Sequence, residues 1–457
     1  MSVVALVLAA GKGKRMKSSL PKVLHPVLGQ PIISYVIEEV KKISPEKTVL
    51  VVGYGADDVK KALDSEQLSY VMQSRQLGTA HAVLSTRQEL DGYNGTVVIL
   101  YGDSPLIRFE TLRNFINTHR KGKSSLSILT ARVSKPHGYG RIIRNGRGEV
   151  TDIVEEKDAT PEQKTLDEIN SGIYCVESDF LWNALDQIDK KNNQKEYYLT
   201  DIVGIASRSG IRVKGLNLNV EEEIIGINNR IELYHAEEIM RKRINENLML
   251  SGVTIIDPEQ TFISPQVSIG IDTVVYPHSF IYGKTKIGSK CKIGPSVWIQ
   301  GAEIEDDTTI GFSSFIEESS IGANVMIGPF AHIRPGSQIM GGAKIGSFVE
   351  IKKSIIGTSS KVPHLSYVGD ATVGKSVNIG AGTITCNYDG FQKHETIIED
   401  DVFIGSDTML VAPVRVGRSA TTGAGSTITK DVESKSLAIG RAKQITIKNW
   451  KRKPKDK

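Results

Sequence analysis

The stretch ISPQVSIGIDTVVYPHSFIYGKTKIGSKCKIGPSVWI (Ile263–Ile299) returns an aliphatic residue at every sixth position: Ile263, Ile269, Val275, Ile281, Ile287, Ile293 and Ile299. After a one-residue slip the count resumes through Ile304, Ile310 and Ile316. It slips again and continues through Ile321, Ile327, Ile333, Ile339, Ile345 and Ile351. Seven of these sixteen aliphatics are followed by Gly, and the unit Ile-Gly-x-x-(small)-x reads as one hexapeptide rung of a parallel β-helix, three rungs closing a triangular coil. In this reading only the aliphatic points inward. A sandwich of short strands would instead need period-two alternation with polar turns every eight to twelve residues, and that spacing is absent.

Working outward, a chain of 457 residues is too long for one ordinary core, so at least two domains are expected. The net charge of +5 is spread along the chain and concentrated in the tail KRKPKDK, which favours small anionic substrates over nucleic acid. That tail, from Lys451, reads most simply as a disordered solubilising end. Cys175, Cys291 and Cys386 are odd in number and form no C-x-x-C pair, as expected of a reducing cytoplasm. The apolar VVALVLAA near the N-terminus is too short to span a bilayer and lacks a basic flank, so it reads as a first buried strand, not a signal or anchor.

From Val3 that strand enters AAGKGKRM, the order strand, glycine loop, helix that presents backbone N–H groups to a phosphate. Gly11 and Gly13 let the backbone approach an anion, and Lys12, Lys14, Arg15 and Lys22 surround it with positive charge. The alternative is a tight turn with solvated lysines. Further strands at KTVLVVGY and TVVILYGD alternate with amphipathic segments such as PIISYVIEEVKKI, which predicts a mostly parallel, doubly wound sheet with its ligand beyond the carboxyl ends of the strands. Asp103 falls there, directly after VVILYG, as a candidate magnesium ligand or as a turn residue of GDSP. Gln73 precedes the helix that Gly78 and Thr79 open, and offers the donor and acceptor that base recognition needs. Gly140, Glu155 and Asn170 supply groups suited to sugar hydroxyls, and Asn228 is placed to cap the next helix. A polar helix ending at Gly252 then connects to the hexads.

One interruption breaks the repeats, AGTITCNYDGFQKHET (Ala381–Thr396), and insertions in solenoids map to loops on one face. Arg334, Lys352, His364, Tyr367, Asn378, Asn387, Tyr388, Ser406 and Arg441 are read as one polar cluster around it. A structural histidine is the alternative for His364.

Together LAAGKGKRM, LPKVL, QLGTAHA, YGDSPL, GYGRI, VEEKDA, EINSGIY and GINNR, followed by hexads carrying RPG, EIKKS, HLSYVGD, NIGAGTITCNYDG and FIGSDTMLVAP, carry a family resemblance. The chain resembles the bifunctional bacterial enzymes that join an N-acetylglucosamine-1-phosphate uridyltransferase to a glucosamine-1-phosphate N-acetyltransferase and make UDP-N-acetylglucosamine. The resemblance implies a Rossmann-like nucleotidyltransferase domain over 1–228, a linker helix over 229–250, and a left-handed parallel β-helix with a basic tail over 251–457. It implies that Leu8, Ala9, Ala10, Gly11, Gln73, Gly78 and Thr79 hold uridine and phosphates, with Arg15 and Lys22 acting on the triphosphate. Gly140, Glu155 and Asn170 would hold the N-acetyl sugar, and Asp103 with Asn228 a magnesium ion.

In the second domain the resemblance makes His364 the base, gives Arg334, Lys352, Tyr367 and Asn378 to the amino-sugar phosphate, and gives Ala381, Asn387, Tyr388, Ser406, Ala424 and Arg441 to acetyl-CoA. It further implies UTP as co-substrate, a cytoplasmic homotrimer assembled through the β-helix, and neither nucleic acid nor membrane insertion. Lys14 stands where the family's loop usually has Ser or Thr. A rival enzyme reading is a hexose-1-phosphate nucleotidyltransferase whose β-helix serves only assembly or regulation.

Overall fold

The computed structural model describes residues 3–63 and 67–452, so the last five residues of the basic tail lie outside the described residues. The chain divides into two compact units, Met1–Met240 and Arg241–Lys457.

The first unit is built on a nine-stranded sheet: β1 (Val3–Ala9), β2 (Lys47–Val52), β3 (Ser69–Met72), β4 (Thr96–Tyr101), β5 (Leu126–Arg132), β6 (Arg141–Arg144), β7 (Val150–Val154), β8 (Glu168–Glu177) and β9 (Lys214–Leu218). The order is β9-β5-β8-β4-β1-β2-β3, with β6 paired to β8 and β7. The β1–β2, β1–β4, β2–β3 and β5–β9 pairs are parallel, while β8 runs antiparallel between β4 and β5.

Every residue of β1 is buried, as a strand covered on both faces must be. Val4, Leu6 and Leu8 join one core with the helices Thr79–Leu84, Ser178–Leu185 and Asp201–Arg208. Val3, Ala5, Val7 and Ala9 join another with Ile32–Lys42 and Phe109–Lys121. The sheet is therefore covered by helices on both faces, the doubly wound arrangement.

Two local expectations change. The glycine loop leads into a three-residue 3-10 turn, Lys14–Met16, because Gly13 (φ 62) and Lys17 (φ 49) both adopt left-handed backbone and bound it at once. No helix dipole faces the loop. The helix Arg230–Leu250 is capped by Asn229, not Asn228: Asn229 Oδ1 accepts from the backbone N–H of Ile231 and Glu232 at 2.9 and 3.0 Å. Asn228 is thereby left for other contacts.

The second unit stacks three parallel sheets of eleven, ten and nine short strands, each strand pairing with its counterpart one coil further on: a left-handed hexapeptide β-helix. Every aliphatic counted from Ile263 to Ile351 lines the core as a buried residue, except Ile269, which packs against it partly buried. The two slips are coils one residue shorter, as when Lys286 pairs with Glu303 after Ser268 had paired with Lys286. Where Gly follows the aliphatic it has a packing cause: a Cβ on Gly288 would stand 2.6 Å from the backbone nitrogen of Asp306 in the next coil.

More than the aliphatic points inward, however. Most corners pass through a left-handed residue such as Lys290 or Ser296 (φ 58 and 57), and the residue after it, Cys291 or Val297, turns into the coil and is buried. Ala343, Val349 and Val377 occupy this position and are each 1 % exposed, so they belong to the core and not to an outward face. Outward, Phe262, Phe280, Trp298 and Phe315 stack on successive coils with ring centroids 5.0 to 5.8 Å apart. Ile244 and Leu248 of the Arg230–Leu250 helix pack against the coil core. The three cysteines are free, and among the described residues no helix is long and apolar enough to cross a membrane.

Candidate functional sites

In the first unit, β1, β2, β3 and β4 run parallel, and the segments leaving their carboxyl ends enclose a cavity of about 300 Å³. Leu8, Ala9, Ala10, Gly11, Lys22, Gln73, Gly78, Thr79 and Asp103 all line it. A Cβ on Gly13 would meet Lys22 Cβ at 2.6 Å, so the glycine is what allows the Lys22 stem to pass beneath the loop. The ammonium of Lys22 pairs with Asp103 and donates to Asn228 Oδ1 at 3.0 Å, which also accepts from Arg15 Nη2 at 2.8 Å. The Asp103 carbonyl accepts from the Ile227 N–H at 2.9 Å, tying the loop after β4 to the segment that carries Asn228.

Two oxygen-bearing side chains thus converge on a single cation. Oxygens of this kind suit a hard divalent ion that keeps several waters and its substrate's phosphates as further ligands. Among the described residues no group of three or more His, Cys, Asp or Glu is placed to hold a metal ion by itself.

Gly140, Glu155 and Asn170 come together as well. A Cβ on Gly140 would meet Ile153 Cγ2 at 2.9 Å and stand 3.7 Å from both Glu155 Oε2 and Asn170 Cβ. Asn170 donates to the Tyr174 hydroxyl at 2.7 Å and accepts from the Gly172 N–H at 3.1 Å. Burial pushes the Glu155 carboxyl above its ordinary value, against a 3.2 Å hydrogen bond from Thr200.

Sequence reading missed Gln76, Tyr101 and Glu196, which also line this cavity. Tyr101 is partly buried, and burial first, then Glu155, holds its hydroxyl protonated far above the usual range. Its place as the last residue of β4, two before Asp103, was the available signal. Glu196 comes from a loop with no periodicity to mark it.

In the second unit the polar residues fall into two groups at the two edges of one sheet, not one cluster. His364 is the last residue of the strand Lys361–His364, in register with Ser347 one coil earlier. Ala381, Ser406, Ala424 and Arg441 stack above it on later coils: Asp407 donates to the Ala381 carbonyl at 2.7 Å, Gly425 to Ser406 at 2.8 Å, and Arg441 Nη1 to Ala424 at 2.6 Å. Asn378 stands on the strand just before this corner. The imidazole of His364 is exposed, and among the described residues no hydrogen bond or ion pair holds it; only its carbonyl is engaged, by Ser366 Oγ at 2.8 Å.

At the other edge Arg334 pairs with Glu350 at 2.9 Å and Lys352 with Asp370 at 3.4 Å. Asn387 donates to Asp370 and, at 3.4 Å, to the Tyr367 hydroxyl. The Lys352 ammonium is favoured by a hydrogen bond to Lys393, whose own amine is pushed below its ordinary value, and then by the charge of Asp370. The interruption forms a tight hairpin in which Tyr388 bridges Lys393 and Asp389 Oδ1 accepts from the N–H groups of Phe391 and Gln392. Tyr388 stands exposed beside this second group. The grouping follows from the coil: residues that leave one strand at the same step share a corner, whatever their distance in sequence.

Residues 4–219 match the nucleotidyl transferase family. Residues 318–353 match the bacterial transferase hexapeptide (six repeats), and residues 395–430 the hexapeptide repeat of succinyl-transferase. The bifunctional protein GlmU of Pelobacter propionicus is 46% identical over 457 residues, covering 100% of this chain and 99% of that protein. Those of Syntrophotalea carbinolica and Clostridium novyi are each 50% identical, each alignment covering 98% of this chain and 97% of the relative.

Proposed function

The chain belongs to the family of bifunctional GlmU proteins, and from that premise we propose which of its residues carry each of the two transfers. The enzyme transfers acetyl from acetyl-CoA to glucosamine-1-phosphate and UMP from UTP to N-acetylglucosamine-1-phosphate, releasing pyrophosphate. In this reading residues 1–228 carry uridylyl transfer, 229–250 link, and 251–457 carry acetyl transfer, in the cytoplasm. The observation that carries it is the convergence of Lys22, Asp103, Asn228 and Arg15 at the mouth of the cavity that Gln73, Gly78 and Thr79 line.

Uridylyl transfer asks little covalent work of the protein: the sugar phosphate oxygen attacks the α-phosphorus in line and pyrophosphate leaves. Gln73 meets the uracil, and Lys22 and Arg15 neutralise the triphosphate as charge shifts to the leaving group. Asp103 and Asn228 would hold Mg²⁺, which supplies charge neutralisation on the phosphates when bound. Gly140, Glu155 and Asn170 orient the N-acetyl sugar.

Acetyl transfer needs a base. The His364 imidazole takes the proton as the sugar amine attacks the thioester carbonyl, and coenzyme A leaves as the thiolate. Arg334, Lys352, Tyr367 and Asn378 hold the sugar phosphate. The corner of Ala381, Ser406, Ala424 and Arg441, with Asn387 and Tyr388, holds acetyl-CoA. Incubation of the protein with radiolabelled acetyl-CoA and glucosamine-1-phosphate, without nucleotide, tests the second half alone. No labelled sugar would leave only the uridyltransferase.

The separation of the acetyl-transfer residues to two edges of one sheet supports a homotrimer, in which one edge of a coil faces the opposite edge of its neighbour. Closed three-fold packing buries such faces without propagating into a fibre, and the exposed Phe312, Phe330 and Phe348 supply apolar surface for it. His364→Ala and Asn387→Ala proteins are expected each to be inactive in acetyl transfer, and to regain part of it after unfolding and refolding together. Full acetyl transfer by a protein that sediments as a monomer would overturn the assembly.

A further inference from the structure

Gln73 leaves the carboxyl end of β3, is 4 % exposed, and lines the nucleotide cavity. Its amide nitrogen Nε2 lies 3.1 Å from the Gly78 carbonyl oxygen and 3.0 Å from His81 Nδ1. A carbonyl only accepts, so the nitrogen end of the amide is the end turned toward Gly78. His81 Nδ1 then accepts the second N–H, and the ring is the neutral tautomer with its proton on Nε2. With both N–H groups taken, the amide oxygen is the polar atom of this side chain left for a ligand, and among the described residues no hydrogen bond occupies it.

We propose that His81 is a positioning residue: by accepting from Gln73 it holds the amide with its oxygen toward the base, so that the cavity selects a pyrimidine with an imino N–H. Uracil offers that donor at N3. Cytosine offers a lone pair there, which would face the lone pairs of the Gln73 oxygen. The inference rests on the assignment of Gln73 to the uracil and deepens it.

His81 is held in its turn. It sits on the helix Thr79–Leu84, whose first turn is tied to a distant segment: Ala80 N–H donates to the Tyr197 carbonyl at 3.0 Å, and Tyr197 N–H to Leu77 at 2.8 Å. The His81 ring stacks on Tyr197 with centroids 6.4 Å apart and planes inclined 19°. The Lys190 ammonium lies 4.5 Å from the centre of the Tyr197 ring on a cation–π contact. A chain of contacts thus runs from Lys190 through Tyr197 and His81 to the amide that meets the base. Burial first, then the charge of Lys190, lowers the His81 pKa and keeps the ring neutral, the state in which Nδ1 accepts. Gly78 fits the same design: a Cβ there would stand 2.4 Å from the Tyr197 carbonyl oxygen, so only glycine lets this segment close on the helix.

The test is steady-state uridylyl transfer by the full chain with N-acetylglucosamine-1-phosphate and Mg²⁺, comparing UTP with CTP. His81→Phe keeps a ring on Tyr197 and removes the acceptor. It is expected to raise KM for UTP about tenfold with kcat little changed, and to lower the UTP-over-CTP ratio of kcat/KM by about tenfold, the size of one hydrogen bond. His81→Asn, whose Oδ1 can stand where Nδ1 stood, is expected to restore both. If His81→Phe fails to fold by circular dichroism, His81→Leu gives the same reading. An unchanged UTP-over-CTP ratio in a folded Phe or Leu variant overturns the proposal, as does equal impairment by Asn. A parent protein that transfers no uridylyl group from UTP overturns the underlying assignment, an outcome the parent assay shows by itself.

Discussion

Asp103→Ala is expected to lower uridylyl transfer by about 10³-fold, the upper range for removing one preorganised electrostatic contact, and to leave acetyl transfer unchanged. Asp103 stands just beyond β4, where its backbone carbonyl is tied to the Ile227 N–H at 2.9 Å, so removing the carboxylate leaves that loop's backbone tether in place. What the substitution deletes is the charge opposite Lys22 and one of two oxygens for the divalent ion. Lys22 keeps its 3.0 Å contact with Asn228 and Arg15 its 2.8 Å contact, but the site then gathers positive charge with one oxygen-bearing side chain to balance it.

The two side chains are only 14 % and 19 % exposed, so circular dichroism and acetyl transfer of the same variant separate a loss of chemistry from unfolding. A magnesium titration makes the role specific: the parent rate saturates with Mg²⁺, and the variant stays low or needs far more ion. Asp103→Asn, of equal size without the charge, should fall with Ala. A variant that turns over UTP at the parent rate and the parent Mg²⁺ requirement would make Asp103 a turn residue of GDSP. Loss of acetyl transfer in a folded variant would refute the independence of the two activities.

The β-helix was legible because its signal is a repeat: a six-residue period survives any single substitution, and Ile263 to Ile351 is long enough to show both the period and its two slips. The second inward position was not legible, and the reason is chemical. Where Cys291 and Val297 stand in some coils, Ser314, Ser337, Ser354, Ser360 and Thr408 stand in others, all buried. In sequence a Ser or Thr looks like surface. Here Ser360 Oγ donates to the Gly374 carbonyl at 2.7 Å and Ser354 Oγ to Val368 at 3.3 Å, so stacking supplies the acceptor that burial requires. Ala343, Val349 and Val377 stand at the same inward position, which a count of one inward aliphatic per hexad leaves out.

In the first unit the strand ends were legible from β-branched runs, and with them Gln73 and Asp103. The contact between Gln73 and His81 was not, since it depends on how a glycine turn folds back and on Tyr197, which no local pattern brings near. Sorting the acetyl-transfer residues into two edges required counting positions around a coil, and the hairpin at Asn387–His394 shifts that count.

His364→Ala is expected to lower acetyl transfer by about 10²- to 10⁴-fold, the usual contribution of a general base, with uridylyl transfer from supplied N-acetylglucosamine-1-phosphate unchanged. The side chain is exposed, and among the described residues nothing holds its ring, so its removal should alter stability by no more than about 0.5 kcal/mol. A residue with no structural partner and a large effect on one reaction is a chemical participant.

With the base gone, the variant should keep only the slow attack of whatever amine is already deprotonated. Direct removal of a proton also predicts which substrates feel the loss: an acceptor whose nucleophile needs no deprotonation should discriminate less between parent and variant. A variant that acetylates at the parent rate would show His364 to be a surface residue of its corner and move the search for a base to the opposite edge, where Tyr367 and Asp370 meet Asn387.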